Sequence, residues 1–390
     1  MGRGLLYPWD NDCFVVSWTG TNDCIVLTRL LFLFCLLSTT AYTQVLQPHF
    51  DKEEYVELLK INKKTHLPLE KWATDSLVTM PEKYAFSYRS PELAFDNRWD
   101  LWFHKTQPIA VLSVRGSIAT EASWLANFYA AMIPAKGEIE WGKTTKFPYA
   151  LAESPKAAVH VGWLLAMAHL TETIESKIDS SYQAGVKDFI LTGHSQGGGI
   201  TYLLTAYLRT LQKNNRLPAD IQFKTYCSAG PKPGNLFFAY EYEKMTDGGW
   251  AFNVVNTADW VPDVPFSLQT INDFTEVNPF SQADQVVKKQ KFPKNLVLKH
   301  LYNKLSKPSL KAQKNYQKYL GEKVSVAVKK QLPDIQLPEY YESNHYVRTG
   351  RTIVLVPDQA YWDRYPNTPS STEVWTHHLI VPYLFLASRL

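Results

Sequence analysis

The residues with the most chemistry in them are Gly193, His194, Ser195, Gln196 and Gly197, a serine held between glycines in a G-x-S-x-G pattern. The apolar run DFILT precedes them and the helical run ITYLLTAYL follows. A serine on a sharp strand-to-helix turn projects its hydroxyl out of the sheet, so this spacing points to a nucleophile elbow. Side chains at positions 193 and 197 would collide with the neighbouring strand and helix, which explains glycine there. The helix start behind Ser195 directs partial positive charge at the site, and the Gln196 N–H is a candidate oxyanion donor. A serine hydroxyl needs a base, and the base an orienting acid, in the chain order Ser, acid, His for this kind of turn. WAFNVVNTADWVPDVPF offers Asp259 just beyond a strand, with Asp263 as the alternative. STEVWTHHLIVPYLF offers His378, with His377 as the fallback, whereas His345 leads into a strand. The second oxyanion donor is expected from VRGS at 114–117, where Ser117 brings both an N–H and a hydroxyl. After it come Ile118, Trp124, Leu125 and Phe128, which read either as an ordinary core helix or as a lid over an acyl cleft.

Those residues need a scaffold. Residues 44–80 read as a helical approach segment, and KYAFSYRS, RWDLWFHK and IAVLSVRG as strands. A helix is expected from about Ala157 to Ser180, a strand over Asp188–Thr192, and a helix over Gly198–Gln212. Further strands are expected at Lys224–Ser228, Phe252–Asn256 and Thr352–Val356. Strands alternating with long helices predict an α/β fold with a mostly parallel central sheet flanked by helices. Residues 44–390 are read as one domain carrying an insertion at about 270–345. Between Val286 and Lys330 thirteen lysines face a single acid, Glu322, while apolar residues recur at helical spacing. This basic helical insertion is either a solvated surface pair of helices or a surface drawn to anionic lipid or polymer.

Composition bounds the rest. With 45% hydrophobic and 14% aromatic residues the chain can bury a large core. The excess of 41 basic over 37 acidic residues does not describe a nucleic-acid binder. Residues 1–43 read as a leader. Arg29, the apolar run LLFLFCLL and the small or polar residues that follow have the layout of a secretory signal peptide. Export to the periplasm or beyond is the expectation, with the natural start near residue 26. The four cysteines are Cys13, Cys24, Cys35 and Cys227; without the leader Cys227 stands alone, so no intrachain disulfide is expected. No metal site and no cofactor are expected.

Taken in order, VRGS, Trp124, VHVGW at 159–163, TGHSQGGG at 192–199, SAGPKPGN at 228–235, VVNTADWVPDVP at 254–265 and the C-terminal HHL resemble the class 3, fungal-type lipases of the α/β-hydrolase fold. The resemblance covers roughly residues 80–270 and 340–385. It implies Ser195, Asp259 and His378 as the triad and Ser117 and Gln196 as the oxyanion hole. It further implies a lipid ester as substrate, with transient contact at a lipid interface; a monomer is expected. A soluble ester is the alternative substrate, and a non-catalytic lipid- or surface-binding module the alternative function. Gln196 stands where the family usually has leucine, Gly199 where alanine is common, and the basic insertion has no counterpart in it.

Overall fold

The computed structural model describes residues 45–142, 144–280, 283–367 and 373–390. The expected leader, residues 1–43, lies outside them. Helix α1 (Lys52–His66) opens the described chain, with Asp51 at its N-cap accepting from the Glu54 N–H at 2.9 Å. The antiparallel strands β1 (Tyr84–Arg89), β2 (Trp99–His104) and β3 (Ile109–Val114) follow. Next come helix α2 (Glu121–Phe128), the short β4 (Met132–Pro134), the hairpin of β5 (Lys136–Trp141) and β6 (Thr145–Ala150), and β7 (Ala158–His160). The centre is built by α3 (Val161–Gln183), β8 (Asp188–His194), α4 (Gln196–Lys213) and β9 (Gln222–Ser228). Then follow β10 (Gly234–Asn235), α5 (Leu236–Met245) and β11 (Ala251–Asn256). The insertion holds α6 (Ala283–Lys288), α7 (Lys294–Gln317), a π-helical turn Lys318–Lys323 and α8 (Val324–Gln331). The chain ends with β12 (Tyr346–Val347), β13 (Arg351–Leu355), α9 (Gln359–Arg364) and α10 (Ile380–Ala387).

The main sheet has the strand order β1-β2-β3-β8-β9-β11-β13 and runs parallel from β3 to β13. Its central strands are buried on both faces, and side chains alternate between two cores, as a period of two requires. Ala110, Leu112, Phe189 and Leu191 point into the core covered by α3 and α4. Val111, Ile190 and Val254 point into the core covered by α1 and α10, with Tyr55, Leu58, Tyr383 and Leu386. This is the α/β-hydrolase arrangement expected, with helices on both faces.

Three local departures have physical reasons. The helix expected from Ala157 starts at Val161, because Ala158–His160 pairs as a strand with β4 and β10. The β5–β6 hairpin, with Ile139 opposite Phe147, was hidden by its charged, exposed alternate positions. The insertion is dominated by one long helix, α7, and is joined to the body at the π-helical turn, where the Leu320 carbonyl accepts from the Ala130 and Ala131 N–H groups at 3.0 and 3.2 Å. Gly321 is required there: a Cβ would stand 2.9 Å from the Ala131 Cβ. Among the described residues no helix is long and apolar enough to cross a membrane.

Candidate active site

Strand β8 runs into α4 through Ser195, whose φ of 62° and ψ of −132° lie in a region that L residues rarely occupy. The turn is tight because glycines allow it. A Cβ on Gly193 would meet the Gly197 carbonyl oxygen at 2.3 Å, and one on Gly197 would meet the Val114 carbonyl oxygen at 2.2 Å. Both clashes are with backbone, which cannot move aside, so the glycines hold the serine at the mouth of the parallel sheet.

The structure brings Ser195, His378 and Asp259 together. The Ser195 Oγ is 2.8 Å from His378 Nε2, and His378 Nδ1 is 2.8 Å from Asp259 Oδ2. Asp259 follows β11 and is buried; its Oδ1 accepts from the Val261 N–H at 2.9 Å and its Oδ2 from the Tyr383 hydroxyl at 2.8 Å. Burial pushes the Tyr383 phenol far above its ordinary pKa, so it remains a donor to the carboxylate. The alternatives lie elsewhere. Asp263 is exposed, near Arg348, and His377 turns to the Tyr361 hydroxyl at 2.8 Å. His345 sits at the start of β12, its N–H bonded to Ser343 Oγ.

His194 has a supporting position. Its Nε2 is 2.7 Å from the His378 carbonyl oxygen and its Nδ1 3.0 Å from Ser228 Oγ, which in turn lies 2.7 Å from the Tyr55 hydroxyl. Burial, reinforced by nearby His378, holds the His194 imidazole well below its ordinary pKa. The neutral ring therefore donates through Nε2 and fixes the backbone of His378.

Ser117 and Gln196 flank the serine. Gly116 packs directly on the elbow: a Cβ there would stand 2.7 Å from the His194 carbonyl oxygen and 3.4 Å from the Ser195 Cβ. The Gln196 N–H opens α4 and has no partner within the helix. Its side chain, although polar, is buried and directed at α2: Nε2 donates to the Ser123 carbonyl and to Asn127 Oδ1, both at 2.9 Å. Asn127 Nδ2 then donates to Ser117 Oγ at 2.8 Å, and Trp163 Nε1 donates to Asn127 Oδ1 at 3.0 Å. Glutamine in place of leucine thus ties α2 to the elbow through polar contacts.

The serine opens onto a cleft of about 670 Å³ lined mainly by apolar side chains. Ile118, Trp124 and Phe128 line it; Leu125 does not, because its position on α2 turns it towards the main core. Trp124 meets Trp375 at 5.6 Å between ring centroids and Trp375 meets Trp260 at 4.9 Å, so three tryptophans join α2, the acid loop and the histidine loop at the rim. Leu77 and Phe266 at the mouth are 69% and 79% exposed. Tyr316 and Leu320, from the insertion, also reach the cleft. Sequence reasoning missed Asn127, Tyr383, Trp375 and the insertion as parts of the site. Among the described residues no cluster of side chains could hold a metal ion.

Comparison with known proteins bears out the resemblance over the centre of the chain. Residues 111–269 match the family described as Lipase (class 3). A secreted mono- and diacylglycerol lipase 1 of Fusarium solani is 30% identical over 156 residues, 40% of this chain and 39% of that protein. A secreted mono- and diacylglycerol lipase LIP4 of Malassezia restricta is 28% identical over 163 residues, 42% of this chain and 49% of that protein. The chain thus spans less than half the length of these relatives. A solved Rhizomucor miehei lipase–propeptide complex is similar at 19% identity and a TM-score of 0.40, covering 56% of this chain and 65% of that one.

Proposed function

We propose that this chain, a match to the class 3 lipases over residues 111–269, is a serine hydrolase that cleaves carboxylic esters of lipids, triacylglycerol or phospholipid, by two-step acyl transfer. The observation that carries the reading is the unbroken hydrogen-bonded series Ser195–His378–Asp259, complete in one chain and opening onto an apolar cleft. His378 takes the Ser195 proton as the oxygen attacks the ester carbonyl, and Asp259 holds the ring and stabilises the imidazolium. The oxyanion forms beside the N–H groups of Ser117 and Gln196, each contributing roughly 3 kcal/mol to lowering the barrier. The Ser117 hydroxyl accepts from Asn127, which leaves its own proton to donate into the cleft. His378 returns its proton to the leaving alcohol; water then attacks the acyl-enzyme, losing a proton to His378, which passes it to the Ser195 oxygen as the bond from that oxygen to the acyl carbon breaks and the fatty acid leaves.

The apolar lining and the exposed rim favour a lipid over a small soluble ester. Ile118, Trp124 and Phe128 serve as the acyl-facing wall, and parting of Trp124 from Trp375 widens the mouth as a lid would. Export fits relatives that are described as secreted. The test is a substrate panel on the full chain: p-nitrophenyl esters of rising acyl length, emulsified triacylglycerol and partial glycerides, and phospholipid vesicles. Hydrolysis that rises with acyl length and with the appearance of an interface, and is lost in Ser195→Ala, is expected. Turnover confined to short soluble esters supports the soluble-esterase alternative, and wild-type turnover by Ser195→Ala overturns the mechanism.

A further inference from the structure

Helix α7 is divided lengthwise into three stripes. The side least exposed to solvent carries Leu298, Tyr302, Ser306, Gln313 and Tyr316. Lys304, Lys307, Lys311, Lys314 and, at the C-cap, Lys318 recur at steps of three and four residues, which at 3.6 residues per turn forms a single basic stripe. About 100° further round, Val297, Leu301, Leu305, Pro308 and Ala312 form an exposed apolar stripe, with Leu301 52% and Leu305 78% exposed. None of the lysines from 288 to 330 is in an ion pair among the described residues, and that stretch contains one acid against thirteen lysines. A helix that only covers its own protein gains nothing from a second apolar stripe facing water. Lysines beside exposed leucines match a surface that is apolar within and anionic on top.

We propose that α7 is a docking element for bilayer surfaces carrying anionic phospholipid. Its apolar stripe enters the boundary of the acyl chains while its lysines meet the headgroup phosphates. The placement gives the contact a purpose. At its C-terminal end α7 contributes Tyr316 to the wall of the catalytic cleft, and Leu320 follows in the π-helical turn, its carbonyl bonded to the backbone of Ala130 and Ala131. A helix about 36 Å long anchored at the cleft holds the cleft next to whatever it lies on. The inference rests on the lipid-ester reading for its purpose, but docking itself needs no catalysis.

The test is co-sedimentation of the full chain, as Ser195→Ala so that lipid is not consumed, with phosphatidylcholine vesicles and with phosphatidylcholine vesicles doped with phosphatidylglycerol. Binding to the doped vesicles alone, weakened by raised salt, is expected. K304Q/K307Q/K311Q/K314Q/K318Q should lower that partitioning at least about 100-fold, and L301S/L305S about tenfold or more. In the Ser195-containing protein both sets should leave hydrolysis of soluble p-nitrophenyl butyrate unchanged, which reports intact folding. Equal binding to both vesicle types, or retained binding by the lysine variant, overturns the proposal. Retained binding by the leucine variant overturns entry of the stripe into the bilayer. Capture by an acidic polymer such as polyglutamate without vesicle binding assigns the surface to a polyanion instead. Vesicle binding without ester hydrolysis leaves this inference standing and removes the catalytic one; hydrolysis without vesicle binding does the reverse.

Discussion

Asp259 illustrates how few contacts set the site's chemistry. Its carboxylate receives three donors: the Val261 N–H, the Tyr383 hydroxyl and the His378 ring. Removing one donor leaves the acid in place but less well held. Tyr383→Phe is therefore expected to lower kcat about tenfold with little change in KM. An unchanged kcat would make Tyr383 merely a packing residue. The tyrosine could not be found from sequence. It lies 124 positions from Asp259, in a helix whose apolar pattern gives no sign that one hydroxyl faces a carboxylate. Asn127 was hidden for the same reason, one amide on a greasy helix that links Gln196 to Ser117. The motif residues were legible because their constraints are local: glycines where backbone meets backbone, and a serine between a strand and a helix. Chain order and the position after the last expected strand picked out the pair, with His378 preferred, but the contacts that separate it from His377 were not legible, since two adjacent histidines point to different partners in a turn with no periodic pattern.

At the scale of elements, α3 shows how a helix start carries a titratable burden. His160 caps it, with Nδ1 accepting from the Trp163 N–H at 3.3 Å and the ring stacked on Trp163 at 3.7 Å. The ring is fully buried, and burial pushes its pKa from 6.5 down to about 3. The folded chain keeps this imidazole neutral, while the unfolded chain protonates it below its ordinary pKa of 6.5. The resulting stability is present in full above pH 6.5 and is lost as pH falls towards about 3, by up to about 1.4 kcal/mol per pH unit. His194, also held neutral by burial, acts in the same direction. Thermal unfolding followed from pH 7 to pH 4 should show a falling Tm, with a shallower slope in His160→Asn, which keeps a capping side chain but cannot titrate. The same slope in both proteins would contradict this. The sheet strands and the helices around the elbow were readable because apolar periodicity marks them. The β5–β6 hairpin and the short strands β4, β7 and β10 were not, since strands of two or three residues leave no period to read.

Across the whole molecule, the described residues from 45 to 390 belong to one compact unit. The two cores, the triad and the cleft all lie in that unit, and its N-terminal end is fixed where the Val45 N–H donates to Asp188 Oδ2 at 2.7 Å. A chain beginning at residue 44 is expected to fold with an unchanged Tm and to hydrolyse p-nitrophenyl esters at the full-length rate. Loss of either would make residues 1–43 necessary to the folded unit. The basic insertion was visible at this scale as a block of charge, yet its position beside the cleft was not, because composition says nothing about which wall a helix ends on.

The claim on which the account depends is that the Ser195 hydroxyl is made reactive by His378. Labelling the folded chain with a fluorophosphonate and mapping the adduct by peptide mass spectrometry tests it directly. The account requires one adduct, on Ser195, absent in Ser195→Ala and formed roughly 10⁴-fold or more slowly in His378→Ala. No adduct on the intact protein, or equal labelling of the His378→Ala chain, would contradict it.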